Sequence, residues 1–304
     1  MSITYKDKYY DHFSKNQFTT APYFNRDKNY LMRFNAPLEN YRFDKNNLSI
    51  IFFKQGIGEL HWRDRRVKIG GNKFIVTNPS NGWEYINPDK DYIDVLSFVI
   101  SPQLRSQFNY FKTVSQNQLL NNPWGEIVND SFFMENPLNA SYYSSGQLLE
   151  KIHRLSRQLN FNFLCPEELA IEVLQRITQD QLKAYRLAGV IQAKKKSTQL
   201  ETFKRLLTAY EYIHDNVMNP ISLQDLSLES SLSKFHLYES FKAVYGKTPH
   251  QYVNRVKITK AKEFLQTGQY SIGKVSDLLG FSDLAVFSKV FKKAYGKPPS
   301  YFLA

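Results

Sequence analysis

The chain has 304 residues, 42% of them hydrophobic, and carries 40 Lys and Arg against 28 Asp and Glu, a formal net charge of +12. That length and apolar content suit two domains with real cores and exclude a largely disordered chain. The basic balance favours a polyanionic partner, nucleic acid before acidic membrane. The stretch 199–304 holds 14 Lys and Arg against 9 Asp and Glu, so net charge alone does not say where such a partner would sit.

The single cysteine, Cys165, excludes an intrachain disulfide and any multi-cysteine zinc site. It is expected as a small buried apolar side chain. The opening residues MSITYKDKYYDHF place charges where a signal peptide needs an apolar core. Runs such as Ile50-Ile51-Phe52-Phe53 and 95–100 are too short to span a bilayer. No membrane association and a cytoplasmic setting are expected.

From about residue 30 to 100, strand-length apolar stretches (48–53, 74–77, 93–100) alternate with turn chemistry at Gly56, Gly58, Gly70-Gly71, Asn78-Pro79 and Asn87-Pro88. This punctuation predicts an antiparallel sandwich or barrel. Residues 103–140 read as irregular, broken by Asn121-Asn122-Pro123 and Asn136-Pro137. Helical spacing then appears at Leu148, Leu149, Ile152, Leu155 and Leu159, and at Leu169, Val173, Leu174 and Ile177 after Pro166-Glu167-Glu168. A lysine-rich linker is expected at 192–198. The fold class is α+β: a β-sandwich or barrel over 1–140, a helical dimerisation or interdomain segment over 141–191, and an all-α domain over 199–304.

Within that last domain an apolar stripe (Leu200, Phe203, Leu206, Leu207, Tyr210, Ile213) is followed by a duplication with a period near 50 residues. Residues 222–253 read SLQDLSLESSLSKFHLYESFKAVYGKTPHQYV; residues 271–303 read SIGKVSDLLGFSDLAVFSKVFKKAYGKPPSYFL. Ser222 and Ser271 are each placed to cap a short helix, with a capping-box acid, Asp225, in the first copy only. A tight turn follows, then a second helix anchored by Leu237 and Phe241 or by Phe287 and Phe291. Both copies end in Tyr-Gly-Lys-x-Pro, a left-handed stop and a helix breaker. Helix, tight turn, helix is the helix-turn-helix pattern. One helix bearing Val253, Val256, Ile258, Ala261, Phe264 and Leu265 joins the copies.

Residues 199–304 resemble the AraC/XylS transcription regulators: both helix-turn-helix units, the connecting helix with Arg255, Ala261 and Leu265, and the Gly-Phe-Ser turn at 280–282. The resemblance implies a sequence-specific regulator that places two recognition helices in successive major grooves of double-stranded DNA. On this sequence the helices fall at about 233–244 and 283–294. The outward, DNA-contacting positions implied are Lys234, Phe235, His236, Tyr238 and Glu239, then Leu284, Ala285, Ser288 and Lys289, with Lys292 and Lys293 on phosphate. Glu239 is suited to cytosine N4 or to an internal pair with Lys242 or Lys234. Ser231 stands at the turn position held by Gly280 and, if left-handed, costs about 1 kcal/mol.

Residues 30–100 look like the cupin-type regulatory domain of many such regulators. His61 stands alone there, with His12 and His153 outside the expected strands, so neither a metal site, a cofactor nor cupin-type enzyme chemistry is expected. A cavity lined by Arg33, His61, Trp62, Trp83 and Tyr85 is the candidate effector site. The helices over 146–190 are the candidate homodimer interface, and RNA polymerase is a further possible partner. Two alternatives stand: an effector-independent DNA binder with an N-terminal assembly module, and a cupin-type enzyme.

Overall fold

The computed structural model describes residues 9–12, 27–37, 40–42, 47–62, 65–79, 82–87, 89, 91–123, 125, 133–158 and 165–303. They divide into two compact units, 1–182 and 183–304.

The first unit is built on two sheets. One has the order β1 (Tyr9–His12), β2 (Tyr30–Pro37), β9 (Tyr92–Ile100), β4 (Leu48–Gln55), β7 (Lys73–Thr77), β10 (Leu138–Asn139). The other has the order β3 (Asn40–Arg42), β8 (Glu84–Ile86), β5 (Gly58–Trp62), β6 (Arg65–Ile69). The expected strands at 48–53, 74–77 and 93–100 are β4, β7 and β9, and they are paired side by side. Their side chains alternate, so one face of the larger sheet supplies Met32, Phe34, Ile51, Phe53, Ile75 and Val95 to a shared core. The smaller sheet answers with Leu60, Ile69, Trp83 and Tyr85. Each such burial contributes about 1.5–3 kcal/mol relative to exposure. β1 pairs with β2 in parallel, with His12 opposite Phe34. His12 is therefore on a strand, contrary to expectation: parallel partners are distant in sequence and leave no hairpin signal.

The opposite face of the larger sheet carries Leu31, Arg33, Ile50, Phe52, Asp94 and Leu96, all buried. The helix α3 (Ser144–Leu155) lies against it, with the His153 ring edge-on to Phe52 at 5.8 Å. Asp94 Oδ1 is 2.7 Å from His153 Nε2, and Asp94 Oδ2 accepts from Arg157 Nη2 at 2.6 Å. Arg33 Nε stands 3.5 Å from Asp94 Oδ1. Burial alone would raise the Asp94 carboxyl. The hydrogen bonds from His153 and Arg157 and the nearby positive charge outweigh it and hold the group below its ordinary value.

The span 103–140, expected as irregular, opens with two helices, α1 (Pro102–Thr113) and α2 (Gln116–Asn121). Ser101 caps the first with proline in its first turn, and Ser115 with Gln118 forms a capping box on the second. The caps were legible in the sequence, as was the stripe of Leu104, Phe108 and Phe111 on the first helix. α4 (Pro166–Ala188) follows, burying Val173, Leu174 and Ile177 as expected; Leu159 lies outside the described residues. Cys165 is exposed, not buried: it immediately precedes α4, with Sγ 3.4 Å from Glu167 Oε2.

The second unit is helical: α5 (Lys196–Asp215), α6 (Leu223–Ser230), α7 (Lys234–Tyr245), α8 (Pro249–Gln266), α9 (Ile272–Leu278) and α10 (Leu284–Tyr295). Phe203, Leu206, Leu207 and Ile213 of α5 are buried, as the stripe required. Among the described residues, no helix is long and apolar enough to cross a membrane.

Asp94→Asn should destabilise the first unit by about 3 kcal/mol, because it removes the buried negative charge that His153, Arg157 and Arg33 share. A carboxyl whose folded value is depressed contributes its stability above the unfolded value, near pH 3.9, and loses it as pH falls through the folded value. The gap between wild-type and variant urea midpoints should therefore be constant near neutrality and close below about pH 4.

Candidate nucleic-acid interface

Each of the two repeats is built in the same way. In the first, Ser222 caps α6 by accepting from the N–H of Asp225 at 3.2 Å, and the Asp225 carboxylate accepts from the Ser222 N–H at 2.8 Å. Hydrogen bonds from the Ser222 hydroxyl and N–H hold this carboxyl below its usual range. In the second, Ser271 accepts from the N–H of Lys274 at 3.2 Å, with no acid to complete the box.

Both short helices stop in the same hydrogen-bonded turn. Ser231 N–H donates to Leu228 O and Leu232 N–H to Ser227 O; Gly280 N–H donates to Asp277 O and Phe281 N–H to Ser276 O. These are the closures of a left-handed helix stop. Ser231 is left-handed, at φ 52 and ψ 34, and Gly280 has φ +66. The serine thus adopts a conformation that its Cβ disfavours.

A cation from the preceding long helix then caps each turn. Arg205 of α5 donates from Nη1 to Ser231 O at 3.0 Å. Lys257 of α8 donates from Nζ to Leu279 O at 2.7 Å. Lys257 is buried, and burial pushes its ammonium below the ordinary lysine value. It sits where carbonyls at the end of α9 lack intrahelical partners, a place that favours a cation. The sequence carried a signal for it: Val253, Lys257, Ala261 and Leu265 recur every fourth residue, with a lysine inside an apolar stripe.

The second helices start at Ser233, which accepts from His236 N–H, and at Asp283, which accepts from Ala285 and Val286 N–H. Leu237, Phe241, Phe287 and Phe291 are fully buried and Val290 is half-buried. Left-handed Gly246 and Gly296 end the two helices. Between them α8 runs 18 residues from the Thr248–Gln251 capping box, a rod of roughly 27 Å at the standard helical rise.

On the outer surface Lys234, Phe235, His236, Tyr238 and Glu239 are exposed, as are Leu284, Ala285, Lys289, Lys292 and Lys293, while Ser288 is half-exposed. Phe235 keeps 70% of its surface in solvent, far more than a core-filling aromatic would. Glu239 makes no ion pair among the described residues, so the internal pairing with Lys242 or Lys234 is not formed. Sequence reasoning missed Val286, exposed and equivalent to His236, and Lys242, exposed and equivalent to Lys292. The offset of 50 between Gly246 and Gly296 would have pointed to both.

The five effector candidates do not line one cavity. Arg33 lies on the helix-covered face of the larger sheet with Asp94, opposite the sandwich core. Trp83 and Tyr85 are core side chains with their polar atoms partnered: Trp83 Nε1 donates to Glu135 Oε1 at 3.2 Å, and Tyr85 Oη to Ile57 O at 3.1 Å. Burial, with Asp91 nearby, pushes the Tyr85 phenol up to about 12. Trp62 packs on Trp83, with ring centroids 5.7 Å apart. His61 alternates with inward Leu60 and pairs with Glu59 at 2.7 Å. Among the described residues, no group of three His, Cys, Asp or Glu side chains is disposed to hold a metal ion.

Ser231→Gly should stabilise the second unit by about 1 kcal/mol through relief of the left-handed serine. The Cβ created by Gly280→Ala would be 3.5 Å from Lys257 Nζ, an ordinary contact, so this variant should lose only the backbone term, again about 1 kcal/mol. Urea unfolding of both variants measures the pair.

Residues 226–304 match the family described as a helix-turn-helix domain. Over 91 residues the chain is 35% identical to the probable transcriptional regulator LumQ of Photobacterium leiognathi, 30% of this chain and 37% of that protein. Over 178 residues it is 26% identical to the raffinose operon transcriptional regulatory protein RafR of Pediococcus pentosaceus, 59% of this chain and 60% of that protein. The matches thus span less than two thirds of these relatives. A solved structure of a probable AraC family transcriptional regulator from Rhodopseudomonas palustris is 26% identical, with 33% of this chain and 94% of that one covered and a TM-score of 0.31. Residues 226–304 of this chain are thus similar to a helix-turn-helix domain.

Proposed function

We propose that the chain is a sequence-specific transcription regulator that binds double-stranded DNA through α7 and α10, each in a major groove. The observation that carries this reading is the exposure of Lys234, Phe235, His236, Tyr238 and Glu239 on one helix and of Leu284, Ala285, Lys289, Lys292 and Lys293 on the other, over buried anchors. Large apolar and basic side chains held in solvent by a stiff core fit a partner that is absent. The chain works in the cytoplasm by binding and not by catalysis, as a homodimer through α3 and α4, under control of a small effector held by the first unit, and in contact with RNA polymerase at promoters. Helix α4 supports the dimer reading, with Tyr185 and Leu187 exposed towards its C-terminal end. Selection of bound fragments from random DNA tests the central reading. Two half-motifs about ten base pairs apart are expected; a single motif, or none, would sink it.

The lysines of α10 should hold phosphate. Lys289→Ala should weaken binding on every sequence and reduce the slope of log affinity against log salt by about one unit; titration at four or five salt concentrations reads this. Tyr238 and Glu239 should read bases. With both replaced by alanine, preference at a few positions should fall by about 1–3 kcal/mol per lost contact while non-specific binding persists. Equal weakening on all sequences would make them positioning groups.

A further inference from the structure

In the first unit α1 and α4 flank a cleft of about 620 Å³, a size at which small-molecule sites are common. Its walls are apolar: Leu104 and Phe108 from α1 face Ile171 and Leu182 from α4, and Phe111 at the rim is 52% exposed.

Gln107, Lys112, Gln175, Thr178 and Gln179 interrupt this surface, and Thr178 and Lys112 have no partner within the chain among the described residues. Thr178 lines the cleft and is 6% exposed, yet its buried hydroxyl has no hydrogen-bond partner. Threonines elsewhere in these helices bond back along the chain, as Thr113 does to Asn109 O at 2.7 Å and Thr208 to Lys204 O at 3.3 Å. An orphaned buried hydroxyl is uncommon and marks a place where the packing leaves a polar group unserved. Lys112 is the one charged side chain among the residues lining the cleft, and it makes no ion pair among the described residues. Burial pushes its ammonium below the usual lysine value, a cost that a nearby anion reverses.

We propose that this cleft binds a small amphipathic carboxylate, with the acid on the Lys112 ammonium and an apolar body between α1 and α4. It deepens the effector reading above by giving the effector a place on the helical side of the first unit, outside the filled sandwich core. Binding is measured without DNA, so its failure and the failure of the DNA-binding reading are separable.

Calorimetric titration of the full chain with decanoate, below its micellar concentration, tests the proposal, with decanol as the uncharged comparison. Saturable one-to-one binding of decanoate is expected. Lys112→Gln, at an exposed position, should weaken decanoate about tenfold, the worth of one charge-assisted contact, and leave decanol unchanged. Thr178→Val should leave both unchanged, because neither probe carries an oxygen along its chain, and Ile171→Trp should weaken both by narrowing the cleft. Unchanged decanoate binding in Ile171→Trp would overturn the site, and equal affinity of Lys112→Gln and wild type for decanoate would overturn the acid. If wild type binds no decanoate and sediments as a dimer that Ile171→Trp dissociates, the cleft holds a second copy and the proposal falls. Retained circular dichroism and DNA shift in each variant exclude misfolding as the cause.

Discussion

Two buried side chains one turn apart fix the rotation of each exposed helix, and the surface of the second unit depends on them. Leu237 and Phe241 lie four residues apart on α7, and Phe287 and Phe291 four apart on α10; all four are fully buried. Positions i and i+4 share a helix face, so pinning both leaves the helix no freedom about its own axis. A shift of one residue would turn the face by about 100°, carrying charged Lys242 or Lys292 toward the core. The identity of the outward side chains is therefore set by the inward ones.

The two copies reach this arrangement by different routes. From cap to cap and turn to turn the first helices are offset by 49 residues, Ser222 to Ser271 and Ser231 to Gly280, whereas the second helices are offset by 50, Ser233 to Asp283 and Gly246 to Gly296. The second turn thus holds one more residue, and its longer path ends in an aspartate cap serving two N–H groups. The first turn is tighter and runs through left-handed serine, held by Arg205 on its carbonyl. The second uses glycine, with buried Lys257 on the carbonyl of the preceding residue. The cation comes from the helix before the turn in both cases, so each long helix positions its own reading head.

What was legible in the sequence follows from how local each signal is. Caps, i and i+4 anchors and glycine stops lie within one helix, and residues 199–304 spelled all of them out. The three central strands were equally plain as β-branched and aromatic runs. The helix at 102–113 was missed although Leu104, Phe108 and Phe111 recur at helical spacing behind its Ser101-Pro102 cap, and the helix at 116–121 is so short that only its cap, Ser115 with Gln118, announces it. The strand at 9–12 was missed because its partner begins eighteen residues further on and runs parallel. Strand alternation also decides why Arg33 and Tyr85 are not neighbours in one pocket: β2 sends Arg33 to the face that carries Asp94 and sends Met32 and Phe34 to the core. Residue type suggested a binding set that strand parity divides.

On the reading proposed above, the two exposed helices are chemically unequal. α7 offers hydrogen-bonding groups at Lys234, His236, Tyr238 and Glu239, with one carboxylate free of internal pairing. The first turn of α10 offers Leu284, Ala285 and Val286, which have no donor or acceptor beyond the backbone, and its lysines come later, at 289, 292 and 293. Base edges are told apart by donor and acceptor patterns, whereas phosphate is held by charge irrespective of sequence. Apolar tips can respond only to thymine methyl groups. Discrimination therefore concentrates in the first half-site and affinity in the second, a division that follows from side-chain chemistry once both helices are held by the same pair of anchors.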